Sequence, residues 1–273
     1  MRRLAIVVLN YLNDKDTLEC VDSILKMQYS ICGVVIVDNG SKNGAYERLR
    51  QAYHKEKRVQ VIEGKKNIGY AKGNNIGIRY ARNKLKADFV LVVNNDTVFI
   101  DKEYIKGLLD KYEHGVGVIG SRILLKDGKE QFPMSIYLGL RDSLMRYVNM
   151  LSEKYGCNFD FPARQGKPET VLHGCTLLFT PDFFNWYHGF YKRTFLYGEE
   201  GILYLMCKCK NLRQIYVPEV KIFHKEDQSS MMSFQNDRKT ISKYALQSEK
   251  YVVLWALRYK IICLLNCVVD VFK

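Results

Sequence analysis

Between residues 4 and 97, short aliphatic runs alternate with segments of helical periodicity, and this alternation limits the possible folds more than any other feature. Leu4 to Leu9, Gly33 to Val37, Val59 to Ile62 and Asp88 to Val93 read as strands. The stretches from Asp16 or Thr17 through Met27, Ala45 to Tyr53 and Tyr70 to Arg82 read as helices. Strands rich in Val and Ile, with little polar alternation, are covered on both faces. Strand–helix–strand succession joins parallel neighbours by right-handed crossovers. The expected class is α/β, with a doubly wound, mainly parallel sheet and a helical C-terminal extension.

In such a sheet the carboxyl ends of the strands lie along one edge, where ligands bind. Each run here ends in polar residues: Asn10-Tyr11, Asp38-Asn39-Gly40-Ser41, Asn67-Ile68-Gly69 after the third strand, and Asn94-Asn95-Asp96 after the fourth. Each taken singly is an ordinary polar turn. Topology makes them converge, which is the physical argument for a nucleotide-type cleft. A carboxylate beside amides supplies hard oxygen ligands for Mg²⁺ or Mn²⁺, metals that usually hold substrate phosphates.

With 273 residues and 47% hydrophobic content, the chain can bury one large domain. Residues 1–230 are expected to form it, 1–97 as one half and 98–230 as the other, with 231–273 a helical segment. The net charge of +13 fits nucleic acid, anionic lipid or phosphate-bearing small molecules. No nucleic-acid signature occurs, so nucleic acid is not an expected partner. The 8 cysteines show no zinc spacing, and the apolar run around Ile6 is a strand, not a signal peptide. A cytoplasmic setting is expected. The tail from Tyr251 to Lys273 is nearly apolar but interrupted by Arg258, Lys260 and Asp270. It is expected to lie on an anionic membrane surface, with a core helix or a dimer helix as alternatives. The least legible region is 131–168.

Ordered blocks strengthen the reading. Val7-Val8-Leu9-Asn10-Tyr11, Val35-Ile36-Val37-Asp38-Asn39-Gly40-Ser41, Asn67-Ile68-Gly69-Tyr70-Ala71-Lys72-Gly73-Asn74-Asn75 and Val93-Asn94-Asn95-Asp96-Thr97 follow one another. His173-Gly174-Cys175, Phe195-Leu196-Tyr197-Gly198-Glu199-Glu200 and Val217-Pro218 leading to His224 come after them. Together, over residues 4–230, they resemble the inverting glycosyltransferases of family 2, which have the GT-A fold, especially bacterial polysaccharide and rhamnosyl-type enzymes.

That resemblance implies roles. Asp38 would bind the donor's base, with Asn10 and Tyr11 lining the same pocket. Asn67, Gly69, Lys72, Asn75, Asn94 and Asn95 would contact the donor. Asn94 to Asp96 resembles the family's DxD, with Asp96 as metal ligand and Asn94 in place of the first acid. His224 would help hold the metal or the diphosphate. Glu199-Glu200 resembles the family's Glu-Asp pair, whose second acid is the general base, so Glu200 would be catalytic. Glu199, Gly174 and Trp186 would face the acceptor. The implied cofactor is Mg²⁺ or Mn²⁺, and the implied donor a UDP- or dTDP-sugar. The implied acceptor is a glycan or lipid-linked oligosaccharide of surface polysaccharide or capsule, reached at the inner face of the cell membrane by an enzyme that is a monomer or a homo-oligomer. The rivals are a nucleotidyltransferase and an inactive sugar-nucleotide-binding scaffold. The loop from Asn10 to Asp16 lacks the Gly-rich, Arg-Lys-bearing sequence of the former.

Overall fold

The computed structural model describes residues 2–131, 133–157, 167–225 and 237–271, with side chains through Asn266. Strands β1 (Leu4–Asn10), β2 (Gly33–Asp38), β3 (Val59–Glu63) and β4 (Phe89–Asn94) are linked through helices α1 (Asp14–Leu25), α2 (Ala45–Ala52) and α3 (Tyr70–Asn83). They pair in parallel in the order β3-β2-β1-β4. The register brings Asn10 opposite Asp38 and Leu9 opposite Asn94, so the polar strand ends share one edge. Helix α1 begins earlier than expected. Its cap is Asn13, whose side-chain oxygen accepts from the Asp16 amide, so Asp16 lies in the first turn.

The chain continues through β5 (Thr97–Val98), α4 (Tyr104–Asp110), β6 (Val116–Leu124), β7 (Glu130–Gln131), β8 (Met134–Ile136), α5 (Leu140–Tyr155), β9 (Glu169–Val171), β10 (Thr176–Phe179) and α6 (Pro181–Phe184). Helix α7 (Glu199–Lys208), β11 (Arg213–His224) and α8 (Arg238–Val271) complete it. Among the described residues the main sheet has nine strands: β3-β2-β1-β4-β10-β6-β11-β5, with β7 on β6. Strand β10 enters antiparallel between β4 and β6, which ends the purely parallel half. Strand β6 runs unbroken across Ser121-Arg122. Strand β11 is likewise continuous but irregular between Val217 and Lys221, where Pro218 falls. Residues 169–180 form two strands in different sheets, since β9 pairs with β8 in a separate ribbon.

Two apolar layers flank the main sheet. One packs α1, α2 and α4 against Ile6, Ile36, Leu91 and Ile119, and the other packs α3 and α7 against Val7, Val35, Val92 and Leu177. Helix α8 joins the second layer through Val252, Trp255 and Ala256 and packs on α5 and α7. Part of the poorly legible region 131–168 is thus α5, while 158–166 and the start of the expected helical segment at 231–236 lie outside the described residues.

Candidate active site

The strand ends open into a cavity of about 780 Å³, a volume suited to a small organic ligand. Its donor-side floor is a hydrogen-bonded network. The Asp38 carboxylate accepts from Asn10 Nδ2 at 2.6 Å, from the Ser41 amide at 3.0 Å and from the Ser41 hydroxyl. Asn10 in turn accepts from Thr17 Oγ1 at 2.7 Å, and Asn95 Nδ2 donates to the same hydroxyl at 3.1 Å. Asn10 and Asp38 therefore sit beneath the wall, whereas Tyr11, Asn39, Asn67, Gly69, Asn94, Asn95 and Asp96 line it. Gly69 is required: its φ is +87°, and a Cβ there would stand 2.4 Å from the Phe195 carbonyl oxygen, to which the Tyr70 amide donates at 2.9 Å. That contact fastens the loop after β3 to the segment that leads into α7.

At the end of β11, His224 Nε2 lies 3.3 Å from Asp96 Oδ1, both side chains being 7% exposed. His224 Nδ1 faces Gln131 Oε1 at 3.1 Å. With the proton on Nδ1 donated to Gln131, the Nε2 lone pair meets a carboxylate oxygen, and a cation between the two relieves the repulsion. The pair fits a divalent ion held by few protein ligands. No set of three or more His, Cys, Asp or Glu with metal-ligand geometry occurs among the described residues, so the remaining ligands would come from substrate oxygens or water, as Mg²⁺ and Mn²⁺ favour. His173 stacks edge-on to His224, ring centroids 5.9 Å apart, and its Nδ1 accepts from the Cys175 amide at 3.2 Å. Burial and the neighbouring His224, opposed by Asp96, bring its pKa down to about 4, which keeps it neutral with its proton on Nε2. His173, a residue of the His173-Gly174-Cys175 block with no expected role, lies on the cavity wall.

Two further carboxylates line the same cavity. Glu199 and Glu200 open α7, where the helix N-terminus favours negative charge. Glu200 sits on Gly174, so closely that a Cβ there would meet Glu200 Oε1 at 2.6 Å. Burial raises the Glu200 pKa, opposed by hydrogen bonds from its own amide and that of Gly174. Glu199 is 6% exposed, and its Oε1 has no hydrogen-bond partner. Burial first, then repulsion by Glu200, push its pKa up to about 8, while its own amide and Thr194 pull the other way. Tyr70, also on the wall, donates to the Gly174 carbonyl oxygen at 2.7 Å and buttresses the base's seat.

Sequence reasoning did not foresee the third wall, which comes from α5 and α8. Arg146 Nε donates to Glu249 Oε1 at 3.0 Å, and the two side chains line the cavity beside Val252. Among the described lining residues there are four carboxylates, Asp96, Glu199, Glu200 and Glu249, against the single guanidinium of Arg146. With this excess of acidic side chains over cations in the lining, an added cation favours a bound diphosphate.

Besides Asn10 and Asp38 beneath the wall, three expected site residues are elsewhere. Trp186 is 56% exposed on the surface, with Lys210 Nζ 4.0 Å from its ring centroid, so it does not form an acceptor wall here. Asn75 is spent on the Phe190 backbone, donating to its carbonyl at 2.8 Å and accepting from its amide at 2.8 Å. Lys72 is exposed on α3 and is not on the cavity wall. All three follow from helix or turn geometry that turns these side chains away from the strand-end edge.

The model of glycosyl transferase family 2 matches residues 5–179, more than half the chain. The chain belongs to glycosyl transferase family 2. It is 28% identical over 199 residues to the low-salt glycan biosynthesis hexosyltransferase Agl10 of Haloferax volcanii, an alignment covering 72% of this chain and 59% of Agl10. The fold is GT-A. A mannosyltransferase of Pyrobaculum calidifontis, solved with GDP-Man and Mn²⁺, superposes with a TM-score of 0.58 at 16% identity over 98% of this chain and 76% of that one. Residues 1–349 of Staphylococcus aureus TarS with UDP-GlcNAc superpose with a TM-score of 0.56 at 17% identity over 85% of this chain and 60% of that one. The chain spans about three fifths of the length of Agl10, and its cavity lies at the strand-end edge where an open α/β sheet binds its ligands.

Proposed function

We propose that this enzyme transfers a hexosyl or rhamnosyl group, with inversion, from a nucleoside-diphosphate sugar to a hydroxyl of a glycan. The observation that carries the reading is that one cavity is lined both by the Asp96–His224 pair and by Glu200 seated on Gly174. Tyr11, Asn67, Gly69 and Asn94 to Asp96 hold the nucleotide end, on a floor that Asn10 and Asp38 keep in place. Asp96 and His224 hold Mg²⁺ or Mn²⁺, whose charge, when bound, stabilises the departing diphosphate. Neutral His173 donates a hydrogen bond towards the same group.

Glu200 accepts the proton of the acceptor hydroxyl as that oxygen bonds to the anomeric carbon and the bond to the diphosphate breaks. A raised pKa strengthens Glu200 as a base. A single base with direct attack inverts the anomeric centre. Glu199 and Glu249 bind acceptor hydroxyls. A UDP- or dTDP-sugar is the proposed donor, in line with the UDP-GlcNAc of TarS; the GDP-Man of the Pyrobaculum enzyme makes GDP a third nucleotide to assay. The proposed setting is surface polysaccharide or capsule synthesis on a lipid-linked acceptor at the inner face of a membrane.

The test is a thermal-shift panel of UDP, dTDP and GDP, with CMP as control, each with and without Mn²⁺. A Mn²⁺-dependent rise with one nucleotide supports the reading and names the donor class, and the absence of any rise overturns it.

A further inference from the structure

Helix α8 is apolar on two opposite faces. Its inward face packs Val252, Trp255 and Ala256 against the rest of the protein. Its outward face carries Leu254, Leu257, Ile261, Leu264 and Leu265, exposed at 47%, 41%, 47%, 55% and 59%. The first four recur at steps of three, four and three residues, which on a helix is one continuous line. At 100° per residue, Arg258 and Lys260 fall on opposite borders of that line, and Lys250 lies at its head. No carboxylate joins them on this face among the residues with described side chains, since Glu249 points inward to Arg146.

A second copy of the chain would cover the leucines but set Arg258 and Lys260 against their own kind. An anionic lipid surface matches both features: the leucines enter the acyl boundary while the three cations meet the headgroups. No helix among the described residues is long and apolar enough to cross a membrane, so the match is to the interface and not to a span.

We propose that the outward face of α8 docks on an anionic lipid bilayer. The same helix lines the acceptor side of the cavity through Glu249 and Val252. Leu254 is five residues beyond Glu249, about 7.5 Å along the axis at 1.5 Å per residue. Docking therefore brings the acceptor wall to headgroup level, where the first sugars of a lipid-linked glycan lie. This last step rests on the transferase reading; the docking itself does not.

The experiment is co-sedimentation of the full chain with phosphatidylcholine vesicles, with and without phosphatidylglycerol, alongside analytical ultracentrifugation of the protein alone. Wild type is expected to bind the phosphatidylglycerol vesicles and to release them as salt rises. Lys250→Gln with Lys260→Gln is expected to weaken binding about 30-fold, at ~1 kcal/mol for each cation. Leu257→Glu with Ile261→Glu is expected to abolish it while keeping the wild-type melting temperature. Wild type that ignores phosphatidylglycerol vesicles, or binding that survives the double Glu variant, overturns the proposal. So does a wild-type dimer that the double Glu variant splits into monomers without any vesicle binding. Vesicle binding with no nucleotide-dependent thermal shift would sink the transferase reading and leave docking standing; the reverse pattern would sink docking alone.

Discussion

Gly174→Ala is the sharpest probe of the proposed base. A Cβ at this position stands 2.6 Å from Glu200 Oε1, 3.3 Å from its Cδ and 3.5 Å from its Cγ. Ordinary contact begins at 3.4 Å, so the carboxylate must retreat by about 0.8 Å. The Gly174 backbone is not in the left-handed region, so alanine brings no φ strain. The clash is with the far end of a flexible side chain, and its relief costs little. Alanine also restricts the unfolded chain, worth about 0.4–1 kcal/mol in favour of the fold. The expected melting temperature is within a few degrees of wild type. Catalysis is another matter, because a misplacement near 1 Å costs roughly 100-fold when a general base must meet a specific hydroxyl. The assay is release of nucleoside diphosphate under saturating donor, with the KM for donor measured separately. A kcat lowered about 100-fold at unchanged donor KM is expected. A kcat within about threefold of wild type would refute the placement of the base, and a parallel loss of donor affinity would show that Gly174 serves the nucleotide instead.

Four further outcomes follow from the same geometry. Glu200→Gln should retain the nucleotide-dependent thermal shift and lose transfer by about 10²–10⁴-fold, and because burial raises the Glu200 pKa, the acid limb of wild-type kcat/KM should lie above pH 4.5. Glu199 is protonated more readily in the fold than in the unfolded chain, so its contribution to stability is fully present below pH 4.5 and is lost as pH rises through about 8. Glu199→Gln should escape that loss, gaining about 2–4 kcal/mol over wild type in urea unfolding at pH 9 and little at pH 4.5, a ceiling of ~5 kcal/mol being reduced by the charge shared with Glu200. Asp96→Ala should remove the Mn²⁺ dependence of nucleotide binding in the thermal-shift panel. Trp186→Ala should leave the KM for acceptor unchanged, since the ring stands on the surface over Lys210.

The parallel half of the fold was legible because its signals are local. Val and Ile runs, the 3.6-residue periodicity of α1 and α3 and the polar strand ends all lie within one strand–helix unit. The second half depends on long-range pairing. β10 enters the main sheet antiparallel, between strands that begin far from it in sequence, and nothing in Thr176–Phe179 announces that choice. The polar pair Ser121-Arg122 interrupts the apolar pattern of β6, yet its pairing with β11 runs through both residues. Gly120 beside them marks close packing, since a Cβ there would lie 2.9 Å from the Leu172 side chain. Asn75 shows the reverse error: its place in a conspicuous motif invited a ligand role, while its amide holds the Phe190 backbone in both directions.

The same locality explains the hidden wall of the site. Arg146 lies in the region of weakest pattern and Glu249 in a tail whose apolar character dominated its reading, 103 residues away. Neither is interpretable until α5 and α8 are brought together. Once they are, the tail ceases to be a separate appendage. Phe195 stacks on Tyr244 with ring centroids 4.3 Å apart, Ser248 donates to the Leu196 carbonyl at 2.9 Å, and Tyr191 packs edge-on to both Tyr251 and Trp255. The segment leading to Glu199 and Glu200 is therefore clamped by α8 along its length. A chain ending before Tyr244 should lose more than a membrane contact: Glu199 and Glu200 would lack the support that positions them, and positioning is what a general base must supply. Removing residues 244–273 should thus abolish transfer even to a water-soluble acceptor, whereas Leu257→Glu with Ile261→Glu, confined to the outward face, should leave that soluble reaction intact.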